Sequence, residues 1–424
     1  MSEHIQSYYA ATANELITRP ALKGEQRADV CVIGGGFTGV SAALNLAERG
    51  YKVILLEANR VGWGASGRNG GQASGEPRHD QIDLEKKVGK GDAKAQWDLN
   101  WAAMDEMKRR IEKHNIECDW TPGIIHACYK KSDEEWYKGY IDKLNTEYQC
   151  DWINFVSAEE MSEKVGAKVF NGGQLDTRSG HVHPLNYVCG LAKAAEEAGA
   201  IIYEASRVIS YDQGEPTRIE TADGVVVADY VVLGCNGYLE KLEKRVAGKI
   251  LPINNFVVAT EPLGYDRARS LIRDNEAVVD SKFVVNYWRL TPDNRLCFGG
   301  GENYGKKFPK DIANFVRKPM LSIYPQLDDV KIDYAWGGTL AITMNRMPHF
   351  GRLGKNVFYA QGYSGHGVVL ASFAGKLIAD ALAGTAEQFD VLCRAPTYTF
   401  PGGTLLRYPG MVAGMLWYAM LDRL

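Results

Sequence analysis

No C-x-x-C pair and no Cys/His cluster occurs in this chain, although it holds eight cysteines. Scattered at Cys31, Cys118, Cys128, Cys150, Cys189, Cys235, Cys297 and Cys393, they read as reduced packing residues of a cytoplasmic protein, and no metal site is expected. There is no basic run and the net charge is −3, which removes any electrostatic case for nucleic acid. No apolar run has the length and purity of a transmembrane helix, and the opening MSEHIQSYYAATANE lacks the apolar core of a signal peptide, so neither is expected. Internal repeats and low-complexity tracts are also missing. What remains is a chain of 424 residues with room for two domains and a large core.

The most informative stretch is Asp29–Glu57, DVCVIGGGFTGVSAALNLAERGYKVILLE. It reads as strand, glycine turn, helix and second strand, closed by a carboxylate. Gly34, Gly36 and Gly39 hold the G-x-G-x-x-G spacing directly after the apolar run Val30–Ile33. The three glycines serve a tight turn, close approach of backbone to a pyrophosphate, and close helix–strand packing. Phe37 and Thr38 open the helix, whose N–H groups and dipole face the phosphate. Glu57 ends the second strand where a carboxylate can accept hydrogen bonds from a ribose. The pattern is that of a dinucleotide site. Downstream, Ala58–Gln72 (ANRVGWGASGRNGGQ) is a glycine-dense loop containing Arg68, Asn69 and Gln72, suited to backbone lying along an extended second nucleotide. A nicotinamide enzyme ordinarily passes straight to its next helix–strand unit, and no second glycine-rich unit of that kind is found.

On these segments the chain resembles the D-amino-acid oxidase-like superfamily of FAD enzymes. The pairing of SYYAATAN (Ser7–Asn14) with GASGRNGGQ (Gly64–Gln72) resembles its gamma-glutamylputrescine oxidoreductase branch. The resemblance runs over nearly the whole chain. It implies an α/β plus antiparallel β architecture, with a Rossmann-type FAD-binding domain (1–80, 165–250, 350–400) interleaved with a substrate domain (81–164, 251–349) on a mixed or antiparallel sheet. It further implies noncovalent FAD held by Gly34, Gly36, Phe37, Thr38, Gly39, Glu57, Ala58, Gly64, Ala65, Ser66, Arg68, Asn69, Gly71, Gln72, Val208, Cys235, Asn236, Gly237 and Gly337. The final turn, Gly362, Tyr363, Gly365, Gly367 and Val368, completes that set. In the resembled family the helix after this turn points its N-terminus at the flavin ring, where charge accumulates on reduction. A small-residue helix cap is the plainer reading of the same turn.

Candidate catalytic residues are His366, next to the implied ring position, and Tyr287 and Trp288, on opposite-facing positions of a strand. A structural histidine and core aromatics are the competing readings. Amino-acid-oxidising relatives carry W-x-G-x-R-P, whose arginine clamps the substrate carboxylate. Here Trp336-Gly337-Gly338-Thr339-Leu340 places Leu340 at that arginine, and Asn345 replaces an aspartate of the following segment. The expected substrate is therefore an amine such as a polyamine conjugate, unless Arg346 or Arg289 clamps a carboxylate from elsewhere. Two alternatives stay open: an oxidase or dehydrogenase of small amino acids, and a flavin-binding subunit that needs a partner. The sequence predicts helix from Gln81 to about Arg110 with Trp97, Trp101 and Met104 buried. It also predicts strands at Phe256–Thr260, Phe283–Leu290, Arg295–Gly299 and Tyr334–Thr339, with one face toward a ligand. The tail from 401 to 424 is apolar, and Leu405–Leu421 reads as a membrane-surface, partner or self-packing segment.

Overall fold

A computed structural model describes residues 3–282, 284–303 and 307–410, and among these the strands assemble into an eight-stranded and a nine-stranded sheet. The first grows from Gly24–Ile33, which pairs in parallel with Val53–Leu56 on one side and Gly224–Leu233 on the other. Ile201–Tyr203 and Val357–Gln361 extend it in parallel, and antiparallel His349–Leu353 forms an edge. Side chains alternate through the sheet. Val30 and Val32 pack beneath the helices Phe37–Glu48, Pro184–Glu197 and Val368–Leu382. Cys31 and Ile33 face the other way, into a cluster with Ile219, Leu239 and Val246. Burial on both faces explains why Val30–Ile33 is apolar without a break.

The second sheet runs in the order Ile332–Ile342, Leu251–Thr260, Leu296–Asn303, Tyr287–Leu290, Ala277–Asp280, Thr121–Ala127, Gly173–His181, Gln72–Ala73. Its pairings are antiparallel except for Ala277–Asp280 against Thr121–Ala127. One face carries Val258, Trp288 and Phe298 into a core closed by Ala158–Val165, Tyr265–Leu271 and Ile312–Ile323. The other face looks back toward the first sheet's strand ends. The two sheets draw alternately on the chain, so the architecture is an interleaved α/β plus antiparallel β fold. One expected boundary is displaced. Residues 173–181, placed by sequence in the first unit from 165 onward, pair with Thr121–Ala127 in the second sheet. Chain returns to the first sheet's side at His183, whose Nδ1 accepts from Asn186 N and caps the Pro184–Glu197 helix.

The Ser7–Asn14 segment straps the two sheets together. Tyr8 Oη donates to Asp293 in the Thr291–Asn294 turn at 2.9 Å, while Thr12 and Asn14 bond His183 and Asn186 beside the first sheet. Trp97, Trp101 and Met104 are buried along the helix Lys90–Lys113 as their spacing predicts. The expected strand beginning at Phe283 starts at Tyr287, and Phe283 itself lies outside the described residues. At the start of the tail, Phe400 and Tyr408 pack on Leu251, Ile253 and Ile342. From residue 411 the predicted surface segment lies outside the described residues.

Candidate functional site

A cavity of about 770 Å³ opens between the carboxyl ends of the first sheet and the inner face of the second. Its position follows from topology, because glycine turns follow the parallel strands Gly24–Ile33 and Val357–Gln361 at this edge. Gly34 takes φ +108°, and a Cβ at Gly39 would lie 1.9 Å from the Gly34 carbonyl oxygen. Glycine at 39 therefore seats the helix directly on the strand. Gly36 caps that helix without a side-chain hydrogen bond, and Phe37 N donates to Ser66 Oγ at 2.9 Å. Glu57 is pinned at its strand end by N–H groups of Gly35 at 2.6 Å and Asn59 at 2.8 Å. Burial raises its pKa, and those two N–H bonds oppose the rise.

Of the residues proposed from sequence, Gly34, Gly36, Phe37, Thr38, Glu57, Ala58, Gly64, Ala65, Ser66, Arg68, Asn69, Gln72, Val208, Cys235, Asn236, Tyr363, Gly365, Gly367 and Val368 all line the cavity. Gly39, Gly71, Gly237, Gly337 and Gly362 stand behind the wall, where the first three abut other backbone segments, Gly337 makes room for the Phe256 and Phe308 rings, and Gly362 for the Thr343 side chain. The two glycine turns are tied by a 2.6 Å hydrogen bond between Thr38 Oγ1 and Tyr363 Oη. Asn236 Oδ1 accepts from Gly362 N at 2.9 Å and fixes the second turn. Gly367 caps the Val368–Leu382 helix with no side-chain bond, so that N-terminus also faces the cavity.

Arg68 is the buried cation of this wall, only 7% exposed. Its Nε donates to Trp63 O at 2.6 Å and Nη1 to Gly337 O at 3.2 Å, while Nη2 has no partner. An orphaned guanidinium N–H group and two helix N-termini lining one cavity make a donor set for an extended, phosphate-bearing anion.

The second sheet supplies two rows of inward positions, separated by a register shift between Asn255 and Val257. Gly338 pairs with Asn255, Tyr287 with Gly299 and Val279, and His126 with Val279 and Gln174. Tyr287 lines the cavity and leans across the neighbouring strand to hydrogen-bond Asn255 Oδ1. The lean requires glycine at 299, since a Cβ there would sit 2.0 Å from the tyrosine ring. Trp288, also expected as a catalytic candidate, points to the opposite face. It is wholly buried, stacked on Phe298 and bonded through Nε1 to Tyr324 Oη at 3.0 Å. Strand alternation assigns it to the core and removes it from the site.

Arg289 is likewise excluded as a clamp. Its guanidinium is buried and bonds the carbonyls of Gly70 and Leu290 and the Tyr9 hydroxyl, fastening the glycine loop to the sheet. Leu340 and Arg346 do line the cavity. His366 lines it too. Its pKa is pushed down to about 3, by burial first and then by Arg78 and His126, so the ring is neutral.

Sequence reasoning missed a polar pocket made by Glu76, His126 and Gln174, flanked by Trp136, Tyr137 and Tyr140. Glu76 is 7% exposed and accepts from Gln174 Nε2 at 2.7 Å. Burial, then the neighbouring Asp176, pushes its pKa up to about 8. Two signals were available: a carboxylate in the small-residue run following Gln72, and a lone histidine inside the apolar strand GIIHA. Nothing in the sequence singles out Gln174.

The family described as "FAD dependent oxidoreductase" matches residues 29–381. Gamma-glutamylputrescine oxidoreductase of Escherichia coli (strain K12) is 41% identical over 426 residues, covering all of both chains. The probable oxidoreductase OrdL of Haemophilus influenzae is 38% identical, covering 99% of this chain and 98% of its own. Among solved structures, glycine oxidase from Geobacillus kaustophilus superposes with TM-score 0.72 at 19% identity, covering 84% of this chain and 95% of that one, a likeness of fold.

Proposed function

This chain belongs to the FAD dependent oxidoreductase family, and from that membership we propose that it oxidises a primary amine, gamma-glutamylputrescine or a related polyamine conjugate. What carries the reading is the 41% identity along the entire length of both chains to an enzyme named for that substrate. Leu340 on the cavity wall agrees with it, because an aliphatic side chain there offers no bidentate partner to a carboxylate. The residues present fit FAD. The Gly34–Thr38 turn and the unpartnered Arg68 Nη2 suit its diphosphate, Glu57 its ribose, and the Gly362–Val368 turn a developing negative charge. When bound, FAD supplies the hydride acceptor.

The chain's own work is to orient the amine, strip it of water and keep its nitrogen unprotonated at the moment of transfer. Tyr287, held by Asn255, gives a fixed aromatic wall, and neutral His366 presents Nε2, which has no partner in the fold. Attachment of FAD is noncovalent in this reading. Cys235 is the cysteine of the cavity wall, and burial pushes its thiol up to about 12, which leaves it protonated and unreactive. All eight cysteines are unpaired, which accords with a cytoplasmic protein.

Arg346 on the cavity wall favours a second reading, oxidation of a small amino acid. Anaerobic mixing of the purified yellow protein with gamma-glutamylputrescine, putrescine and D-alanine decides between them. Bleaching by the first two with D-alanine inert is expected. Bleaching by D-alanine alone transfers the site to the second reading, and no bleaching by any leaves a different substrate or a subunit that needs a partner.

A further inference from the structure

The pocket around Glu76 has a composition that the family likeness does not account for. Its polar atoms next to Glu76 are mostly acceptors, and the Arg78 guanidinium, which lines the same cavity, donates through Nε to Ser364 O at 3.3 Å. The Glu76 carboxylate receives Gln174 Nε2 at 2.7 Å and the Tyr140 hydroxyl at 3.4 Å. That first bond fixes the amide's orientation, so Gln174 presents Oε1 as its other atom. Gln174 is 3% exposed, lines the cavity, and its Oε1 has no partner. His126 Nε2 is also without a hydrogen bond and lies 3.7 Å from the Glu76 carboxylate. Burial keeps that imidazole neutral, with its pKa lowered to about 4. Among the described residues it is the basic group within ion-pair distance of Glu76, so the carboxylate has no charged partner there.

Three elements bring these groups together: the segment after the glycine loop, the Thr121–Ala127 strand and the Gly173–His181 strand. The helix Glu134–Tyr148 adds an aromatic side, with Trp136 stacked on Tyr140 at 5.0 Å. A buried site that holds unmet acceptors and aromatic faces is complementary to a ligand carrying N–H donors and positive charge. An anion or a neutral carbonyl compound would leave those acceptors unmet.

We propose that Glu76, Gln174 and His126 form the seat where the substrate's nitrogen docks as ammonium before passing one proton to the Glu76 carboxylate, and that this pocket selects amines without an arginine clamp. The inference rests on the amine-oxidation reading and names the residues that enforce it. Glu76 supplies the charge by releasing, as the cation arrives, the proton that burial holds in the amine-free pocket, Gln174 and His126 supply further acceptors, and Trp136, Tyr137 and Tyr140 cover the adjoining carbon.

The probe is tert-butylamine, which has no hydrogen on the carbon bearing nitrogen and so binds without being oxidised, set against tert-butanol as its neutral counterpart. Each is titrated into the FAD-loaded protein, and binding is read from perturbation of the visible flavin band. The wild type should bind the ammonium at least about tenfold more tightly than the alcohol. Glu76→Gln should lose about tenfold or more in ammonium affinity while its alcohol affinity stays unchanged, the loss associated with one charge-assisted hydrogen bond. Gln174→Leu, which keeps shape and charge, should lose about threefold to tenfold. An unperturbed flavin band and far-ultraviolet dichroism in both variants exclude misfolding. Equal affinities in wild type and Glu76→Gln, or no ammonium binding by the wild type, overturns the proposal. If gamma-glutamylputrescine bleaches both proteins with equal affinity, the pocket assignment fails and amine oxidation stands. If the ammonium binds through Glu76 yet no amine bleaches the flavin, the pocket stands and the oxidation reading fails.

Discussion

Replacing Glu76 by glutamine should stabilise the protein in alkaline solution when no amine is present, a reversal of what removing a charge-bearing polar residue ordinarily does. The carboxyl is enclosed by Asp176, Asp80, Tyr140, His126 and Gln174, and burial raises its pKa from 4.5 to about 8. Below the lower value both folded and unfolded chains hold the proton, and the site costs nothing. Between the two values the unfolded chain has released its proton while the folded chain retains it, so stability falls as pH rises. Above the upper value both states are ionised and the full cost is present. At ~1.36 kcal/mol per pH unit, the gap between 4.5 and about 8 sets an upper bound of about 5 kcal/mol. Glutamine keeps one acceptor oxygen for the Gln174 and Tyr140 donors, a loss that does not vary with pH, and it does not titrate. Guanidinium unfolding of wild type and Glu76→Gln, followed from about pH 5 to about pH 9, should show a difference that widens in the variant's favour up to about pH 8 and then levels. A difference that stays constant or narrows with pH would refute the account of Glu76 as a carboxyl held in a desolvated pocket.

Three further outcomes are expected. Gly39→Ala brings a Cβ to 1.9 Å from the Gly34 carbonyl, lifts the helix from the strand, and should yield protein that purifies colourless; a yellow variant contradicts the assignment of that turn. Gly299→Ala places a Cβ 2.0 Å from the Tyr287 ring, and should cost about 1–3 kcal/mol in thermal unfolding together with weaker amine binding in anaerobic titration. His366, lowered to about 3, should show no titration of its ring nitrogens by NMR between about pH 5 and about pH 8. Because its unfolded value of 6.5 lies above the folded one, it contributes stability that declines as the solution is acidified below 6.5.

Local structure was legible wherever consecutive residues enforce one another. In Asp29–Glu57 the apolar run, the spaced glycines and the terminal carboxylate are neighbours in sequence, and their backbone preferences alone select strand, turn and helix. The same holds for the alternation that placed an inward face on Phe256–Thr260 and Tyr334–Thr339, which lie within the longer strands Leu251–Thr260 and Ile332–Ile342. Strand alternation also stated that Tyr287 and Trp288 must part company, but it could not say which turns inward. That was decided by register: Tyr287 lies opposite Gly299, where its ring fits, and Trp288 lies opposite Phe298, on which it stacks.

Arg289 was chemically eligible as a carboxylate clamp until the fold wrapped the Gly70 carbonyl and Tyr9 around its guanidinium. The Glu76 pocket shows the limit most plainly. Positions 76, 126 and 174 share no periodicity, and their chemistry exists only because two long-range strand pairings set them side by side. By itself, then, the sequence determined the turns, the helix termini and the face alternation, which depend on short-range backbone sterics and the period of the chain. The burial that raises Glu76, neutralises His366 and occupies Arg289 depends on which distant atoms exclude water from each group, and only the tertiary structure decides that.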